Sequence, residues 1–227
     1  MAGSAPVTPS ETRTVPLPRR LLDPEPEPPG ALPAGPDARA RHWYENDLGW
    51  ATVPGRPLRL LTGVRFDVLD VPAEAGAGAL RHLAPGSPVA LRGDRMRLLV
   101  ADGSAEELPG LLEWLEWSAV PLDLRVLGAG DSMAAPVSPI APAASVGGAD
   151  ARRAGSAQGA AVWLRPPGQG CEVEASLPAL PAVGREGSAP DLVRLVDTVA
   201  AQCHRIRLRR ACAGLPACRR GRPSASR

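Results

Sequence analysis

The sequence contains no lysine: all 26 basic residues are arginines, set against 24 acidic residues. Arginine suits phosphate binding because its planar guanidinium can donate two parallel hydrogen bonds. A GC-rich genome also favours Arg, Ala, Gly and Pro codons, so composition leaves the cause open. Aromatic residues are scarce, at 3%, whereas hydrophobic residues reach 44% of the 227. Aliphatic side chains and alanine must therefore fill the core of a single domain with long tails.

Cysteine is also rare, and its four positions form no C-x-x-C pair. The cysteines are Cys171, Cys203, Cys212 and Cys218. Their spacings match no common structural zinc site, and reduced cytosolic thiols are the default. The sequence shows no secretory signal, and no apolar run is long enough to span a bilayer. We therefore expect a cytoplasmic protein with no membrane partner. Neither a Walker A loop nor a hydrolase constellation is evident.

Charge and proline divide the chain into a central domain and two tails. Residues 1–37 hold ten prolines and are predicted to be disordered, although their P-E-P-E-P-P run could dock in another protein's aromatic groove. The domain is predicted over residues 38–211, with a flexible insert at 137–159, and a disordered basic tail at 212–227. Residues 42–189 carry a net charge of −5, whereas residues 190–227 carry +7. Any general affinity for nucleic acid phosphates is therefore expected from the tail.

Hydrophobic patterning predicts an α+β domain. The clearest signal is a β-hairpin, in which residues 88–92 and 95–101 flank a Gly93-Asp94 turn. Further strands are predicted at residues 50–53, 58–61, 64–71, 122–127, 132–136 and 162–167. Helices are predicted at residues 38–48, 73–83, 104–117 and 191–210, and residues 168–187 are predicted to be loop. This order indicates one mixed sheet with flanking helices.

Two local details of the helices are also predicted. Ser104 and Glu107 fit a capping box at the start of the third helix, although Pro109 could move that start one turn later. Gly76 and Gly78 in the second helix suggest close packing against a sheet.

The best strand, Val64 to Val71, contains two carboxylates, Asp67 and Asp70. An aspartate inside a buried strand costs several kcal/mol unless it is paired, hydrogen-bonded or bound to a metal. Because side chains alternate along a strand, residues three apart point to opposite faces unless a bulge intervenes. Pro72 ends the run, since proline belongs at a strand end.

The chain from about residue 41 to residue 210 resembles the bifunctional primase/polymerase N-terminal domain family of the archaeo-eukaryotic primase superfamily. The segments that carry this resemblance are G-V-R-F-D-V-L-D-V-P-A-E-A-G (63–76), P-V-A-L-R-G-D-R-M-R-L-L-V (88–100), L-D-L-R (122–125), A-A-P-V-S-P (134–139) and W-L-R-P-P (163–167). The family makes primers and extends DNA, using strand carboxylates that hold divalent metals and a hairpin histidine that helps to hold the nucleotide.

The resemblance implies site residues and also two losses. Asp70 matches the family's first metal carboxylate and Asp123 the third, so both are expected on neighbouring strands and on one face, holding Mg²⁺ or Mn²⁺ if the protein is active. The second carboxylate position falls on Pro72, and the histidine position falls near Arg95 or Met96. An active enzyme would instead need Asp67, Asp70 and Asp123 to converge, because two-metal sites require ions about 3.5–4 Å apart.

The resemblance and these losses predict a degenerate primase/polymerase-like domain without nucleotidyltransferase activity, with no certain cofactor. Its function would be to bind DNA or nucleotides or to act as a scaffold. The alternatives are an active metal-dependent DNA primase/polymerase and a protein-interaction module with no role on nucleic acid. The predicted nucleic-acid-binding residues are Arg92, Arg95, Arg97, Arg205, Arg207, Arg209 and Arg210.

Overall fold

The structure, a computed structural model, describes residues 35–137, 160–168, 172–180 and 191–213. Most of the N-terminal segment, the insert and the basic tail named above lie outside the described residues. The strands are β1 Thr52–Val53, β2 Arg59–Leu61, β3 Asp67–Pro72, β4 Val89–Arg92, β5 Arg95–Val100, β6 Arg125–Leu127, β7 Ser132–Ala134 and β8 Ala161–Arg165. The α-helices are α1 Pro36–His42, α2 Ala73–Ala79, α3 Ser104–Trp114, α4 Glu172–Ala175 and α5 Leu192–Ala213. A π-helical turn, Trp43–Asp47, follows α1, and a 3-10 turn, Leu80–His82, follows α2.

Two antiparallel sheets organise these elements. One has five strands in the order β6-β3-β5-β4-β8, and the other has three in the order β1-β2-β7. The α+β class is therefore confirmed, whereas the single mixed sheet is wrong. Within the described residues, parallel pairing is limited to isolated bridges, Val137 with Val162 and Ala179 with Asp191. Tight hairpins explain part of this result, because a short turn can only join antiparallel neighbours.

The centre of the five-stranded sheet is buried on both faces, and β3 shows why. Leu69 and Val71 point into a core formed with α2, α3 and α5, which we call the helical side. Phe66 and Val68 point into a second core that includes Tyr44 and residues of the three-stranded sheet, which we call the small-sheet side. All six residues of β3 are buried, so every polar side chain on this strand needs a partner inside the fold.

The predicted hairpin is confirmed, with β4 and β5 joined by Gly93 and Asp94. Gly93 has φ +60°, a left-handed value that a two-residue hairpin turn needs and that glycine adopts without strain. Because strand side chains alternate, Arg92, Arg95 and Arg97 project from one face of the hairpin.

The predicted start of α3 is right, but its cap is not the capping box. Gly103 precedes the helix with φ +86°, and no side chain at that position caps it. Ser104 is buried, and it is Asp67 on β3 that accepts the N–H of Ala105, at 2.9 Å. Pro109 lies inside the helix and does not shift its start. The cap comes from a residue 38 positions away in sequence, so no local pattern could reveal it.

Two further differences affect the site or its surroundings. β6 begins at Arg125, which leaves Asp123 in the segment before the strand. Part of the predicted loop 168–187 forms the short helix α4. A Cβ added at Gly76 would lie 2.4 Å from Sδ of Met96 on β5, which confirms close packing on the sheet there, whereas a Cβ added at Gly78 would lie 3.2 Å from Cγ of Gln202 on helix α5. None of the described helices combines the length and apolar character needed to cross a bilayer.

Candidate anion-binding site

Asp70 lies in a row of charged residues that crosses the five-stranded sheet. In the antiparallel register, it is opposite Arg97 on β5 and Arg125 on β6. The three side chains therefore project from the same face, the small-sheet side, next to one another. Asp70 is 8% exposed, so its charge depends on partners inside the protein.

Arg95 connects Asp70 to Asp123. Its Nε lies 2.5 Å from Oδ1 of Asp70, and its Nη1 lies 2.5 Å from Oδ1 of Asp123. Its Nη2 also donates to the carbonyl oxygen of Asp70, at 2.6 Å. Nε of Arg97 contacts the other carboxylate oxygen of Asp70, at 3.2 Å. Both carboxylate oxygens of Asp70 are therefore engaged by guanidinium groups.

The two arginines that share Asp70 differ in their electrostatics. Burial lowers the pKa of Arg95, but hydrogen bonds and charge attraction from Asp70 and Asp123 outweigh it, and the net pKa is raised. Burial also lowers the pKa of Arg97, and there the longer contact with Asp70 does not reverse the effect. The two pKa shifts have opposite directions because Arg95 has two carboxylate partners and Arg97 has one. Both remain charged at any ordinary pH, since arginine is not deprotonated in proteins.

Asp123 joins this site from outside the sheet. It was expected on a strand beside Asp70, but it precedes β6 by two residues and its side chain is 48% exposed. The sulfur of Cys203 on α5 donates a long contact of 3.7 Å to its carbonyl oxygen. Asp123 therefore does not lie on a neighbouring strand as expected, and it is linked to Asp70 through the guanidinium of Arg95.

Asp67 does not take part. It lies three residues before Asp70 on β3 and points to the helical side, as the alternation predicts. Its Oδ2 accepts the N–H of Ala105, whereas its buried Oδ1 has no hydrogen-bond partner among the described residues. Burial raises the pKa of Asp67, and the charges of Glu106 and Asp102 add to this effect. An active site that needs Asp67, Asp70 and Asp123 to converge is therefore not formed.

The residues present do not fit a divalent metal at the family's position. Asp70 and Asp123 already bind the guanidinium of Arg95. Pro72 is the next residue on that face of β3, and its side chain has no atom that could bind a metal. Mg²⁺ uses few protein ligands, mainly carboxylates, so each missing one matters. In the part of the chain that the structure describes, no group of three or more His, Cys, Asp or Glu side chains is placed to hold a metal.

The same face of the sheet forms a cavity of about 410 Å³, which we call the arginine cavity. Its lining residues are Asp70, Arg92, Gly93, Arg95, Arg97 and Arg125. Arg92, Arg95 and Arg97 were predicted as binding residues, but Arg125 was missed. Its signal in the sequence was the L-D-L-R alternation, which places Arg125 on the same face as Asp123. With Asp123, which also contacts Arg95, four arginines stand against two aspartates, so the cavity has a net positive charge.

Arg97 forms the buried wall of the arginine cavity. It is 6% exposed, and its Nη1 is buried without a hydrogen-bond partner among the described residues. An unsatisfied buried donor on a charged group is costly, about 1–3 kcal/mol or more. This nitrogen has almost no solvent-accessible surface, so the cost is borne by the packing around Arg97.

The arginines predicted on the last helix lie elsewhere. Arg205, Arg207, Arg209 and Arg210 are exposed on α5, and none of them lines the arginine cavity. Nη1 of Arg209 contacts a carboxylate oxygen of Glu74 at 2.7 Å. Arg207 and Arg210 line a separate cavity of about 300 Å³ with Asp123 and Cys203. The structure therefore does not bring the two predicted groups of arginines together.

Comparison with known proteins yields no match for this chain. No protein-family model matches it, and neither does any curated protein or any solved structure. The resemblance to primase/polymerase domains therefore stays a prediction from the sequence.

We predict that Arg95→Met lowers the free energy of unfolding by about 3 kcal/mol. Removing one partner from a buried ion pair leaves the other charge uncompensated, and here Asp70 would retain only its contact with Arg97. The matched control is Arg125→Met, which removes an equal charge from an exposed position and should change stability by about 0.5 kcal/mol or less. Urea unfolding of both variants provides the measurement. Equal losses in the two variants would contradict the bridging role of Arg95.

We also predict that Asp67 gives the stability a defined pH dependence. Its folded-state pKa is raised above the unfolded value of about 3.9. Between these two pKa values the native state therefore binds more protons than the unfolded state does. The contribution of Asp67 to the free energy of unfolding is therefore fully present below about pH 4, and it is lost as pH rises through the folded pKa.

Asp67→Asn removes this titration and keeps an oxygen that can accept the N–H of Ala105. Urea unfolding across the acidic to neutral range should show the stability difference moving in favour of the variant as pH rises, and then levelling off. A difference that is constant with pH, or that moves in favour of the native residue, would show that burial does not raise the pKa of Asp67.

Proposed function

We propose that this chain is a primase/polymerase-like domain that has lost nucleotidyl transfer and binds the phosphates of nucleotides or nucleic acids. The observation that carries the proposal is the arginine cavity, where Arg95 binds both carboxylates that the family would use for metal. The site therefore has a net positive charge, which suits a phosphate, whereas a metal site needs negative charge.

The contacts of Arg95 argue against transfer chemistry. Nucleotidyl transfer in the family depends on divalent metals held by strand carboxylates, and two-metal catalysis requires those carboxylates to converge on the ions. Here Asp70 is bound on both oxygens and Asp67 points to the opposite side of the sheet. Releasing Asp70 for a metal would break two buried ion pairs, each of which offsets the cost of burying a charge.

The geometry of the arginines supports phosphate binding. All four arginines line one concave site, and a guanidinium can bind phosphate oxygens through two parallel hydrogen bonds. Of the four arginines, Arg95 and Arg97 are held in place by Asp70 before any ligand binds. Such preorganisation reduces the entropy cost of binding. Arg92 and Arg125 are exposed, so an incoming anion can reach them from solvent.

A protein-interaction function is a second candidate, and one observation favours it. The edge strand β8 exposes Val162 by 42% and Leu164 by 49%, and Val137 beside it is 58% exposed. Exposed apolar residues on an edge strand are typical of surfaces that bind another chain. This surface and the arginine cavity share no residue, so both functions are compatible.

The test compares binding and transfer in one preparation. We expect the protein to bind a labelled single-stranded oligonucleotide in fluorescence anisotropy, with an affinity that falls as salt rises. Arg125→Ala should weaken binding about tenfold, the equivalent of about 1.4 kcal/mol for lost charged hydrogen bonds. Arg56→Ala is the control, since it removes an exposed arginine outside the cavity and should change the affinity less than twofold. A variant ending at residue 213 would show how much of the oligonucleotide affinity depends on the basic tail.

The same preparation should add no nucleotides to a primed or unprimed template with either Mg²⁺ or Mn²⁺. Incorporation that disappears in both Asp70→Ala and Asp123→Ala would show that the carboxylates still serve a metal. Binding that is equal in the native protein and in Arg125→Ala, but is lost on tail truncation, would move the binding surface away from the cavity.

A further inference from the structure

Helix α3 ends on an exposed tryptophan, Trp114. It is 73% exposed, the highest value among the large apolar residues that the structure describes. Trp117, three residues later, packs instead against α5, where its Nε1 donates to Asp197 at 3.0 Å and its ring lies 6.0 Å from that of His204. Tryptophan is enriched where proteins bind another chain, so Trp114 marks a surface whose partner is not among the described residues.

The surface around Trp114 is acidic. Glu106, Glu107 and Glu113 are exposed and share one side of α3 with Trp114, since at these spacings the four residues fall within about a third of the helix circumference. None of the three carboxylates has an ion-pair partner in the described part of the chain. A Cβ added at Gly110 would meet nothing within 4 Å, so the space between them is open. We call these five residues the α3 face.

A guanidinium group fits the α3 face. Arginine stacks on aromatic rings through cation–π interactions, for which tryptophan is the strongest partner, and it pairs with carboxylates through two parallel hydrogen bonds. A single exposed ion pair contributes little to binding. The partner that matches this surface is therefore a segment with several arginines and no acidic residues, whereas the phosphates of a nucleic acid would be repelled.

The C-terminal tail of the chain is such a segment. Residues 214–227 contain four arginines and no acidic residue. The arginines are Arg219, Arg220, Arg222 and Arg227. The tail and the α3 face are therefore complementary in charge.

The tail is also long enough to reach the α3 face. Helix α5 ends at Ala213, nine residues beyond His204, which is about 14 Å along the helix. Because the ring of His204 lies 6.0 Å from that of Trp117, Ala213 and Trp114 are separated by no more than about 40 Å. The residues after Ala213 span about 46 Å when fully extended. The tethered tail is also present at roughly millimolar effective concentration, so even a weak contact would be formed.

We propose that the α3 face is the docking site of the chain's own C-terminal tail, residues 214–227. One tail arginine stacks on Trp114, and others pair with the three glutamates of the face. Since these pairs are exposed, salt weakens the contact. The inference goes beyond the proposed function, because it involves neither the arginine cavity nor a phosphate.

Nuclear magnetic resonance of the full chain with a spin label on Cys218, next to the tail arginines, tests this contact. Cys171→Ser and Cys212→Ser restrict the label to that thiol, since Cys203 is buried. The five tryptophans give five indole N–H signals, and Trp114→Phe assigns the one that belongs to α3.

At low salt, we expect the label to remove most of the Trp114 signal. Trp50 lies in the core on the small-sheet side, across the sheet from α3, so its signal should lose far less intensity. Raising NaCl to about 1 M should restore the Trp114 signal, because the screening length then falls to about 3 Å.

Two variants test the role of the carboxylates. Glu107→Gln combined with Glu113→Gln removes two charges at nearly constant size and should restore most of the Trp114 signal at low salt. The matched control, Asp47→Asn combined with Asp94→Asn, removes two exposed charges outside α3 and should leave the loss unchanged. Circular dichroism confirms that both variants fold.

Three results would overturn the inference. The first is no loss of the Trp114 signal, or a loss no greater than that of Trp50. The second is a loss that persists in the double glutamine variant, which would mean that the glutamates do not hold the tail. The third comes from mixing isotope-labelled chains without a spin label and spin-labelled chains without the isotope. If the Trp114 signal is lost in that mixture, the tail binds a second copy and not its own chain.

Discussion

The ion pairs of Arg95 with Asp70 and Asp123 are the interaction on which this account depends. They use up the two carboxylates that a primase/polymerase-like site would offer to a metal, and they hold Arg95 and Arg97 in a fixed arrangement beside the cavity. The hairpin supplies both arginines, because residues two apart on β5 share one face. Strand alternation therefore places Asp70, Arg95 and Arg97 on one face of the sheet, and Asp123 reaches Arg95 from the segment before β6.

A buried charge cluster of this kind is a poor source of stability. The desolvation of Asp70 and Arg97 offsets most of their attraction, and apolar residues of the same size often serve a core as well or better. The unsatisfied Nη1 of Arg97 adds to the cost. The cluster faces the polar arginine cavity, and functional sites elsewhere retain locally unfavourable groups of this kind.

Much of the fold could be predicted from local pattern, and the parts that could not depend on distant partners. The Gly93-Asp94 hairpin, the end of β3 at Pro72 and the opposite directions of Asp67 and Asp70 all follow from turn chemistry and strand periodicity. The separation into two antiparallel sheets, the capping of α3 by Asp67 and the place of Arg125 opposite Asp70 follow from register between strands far apart in sequence. The sequence predicted Asp70 and Asp123 as neighbours, but for a metal. The contact of Arg95 with both carboxylates depends on the pairing of β5 with β3, which no local pattern specifies.

The most direct test of the central claim is an anomalous difference map from crystals of the native protein soaked with manganese chloride and sodium tungstate. The account predicts tungstate density in the arginine cavity beside Arg92, Arg97 and Arg125, and none for manganese between Asp70 and Asp123, with Arg95 still contacting both carboxylates. A manganese peak bound by Asp70 and Asp123, with the guanidinium of Arg95 turned away, would contradict it.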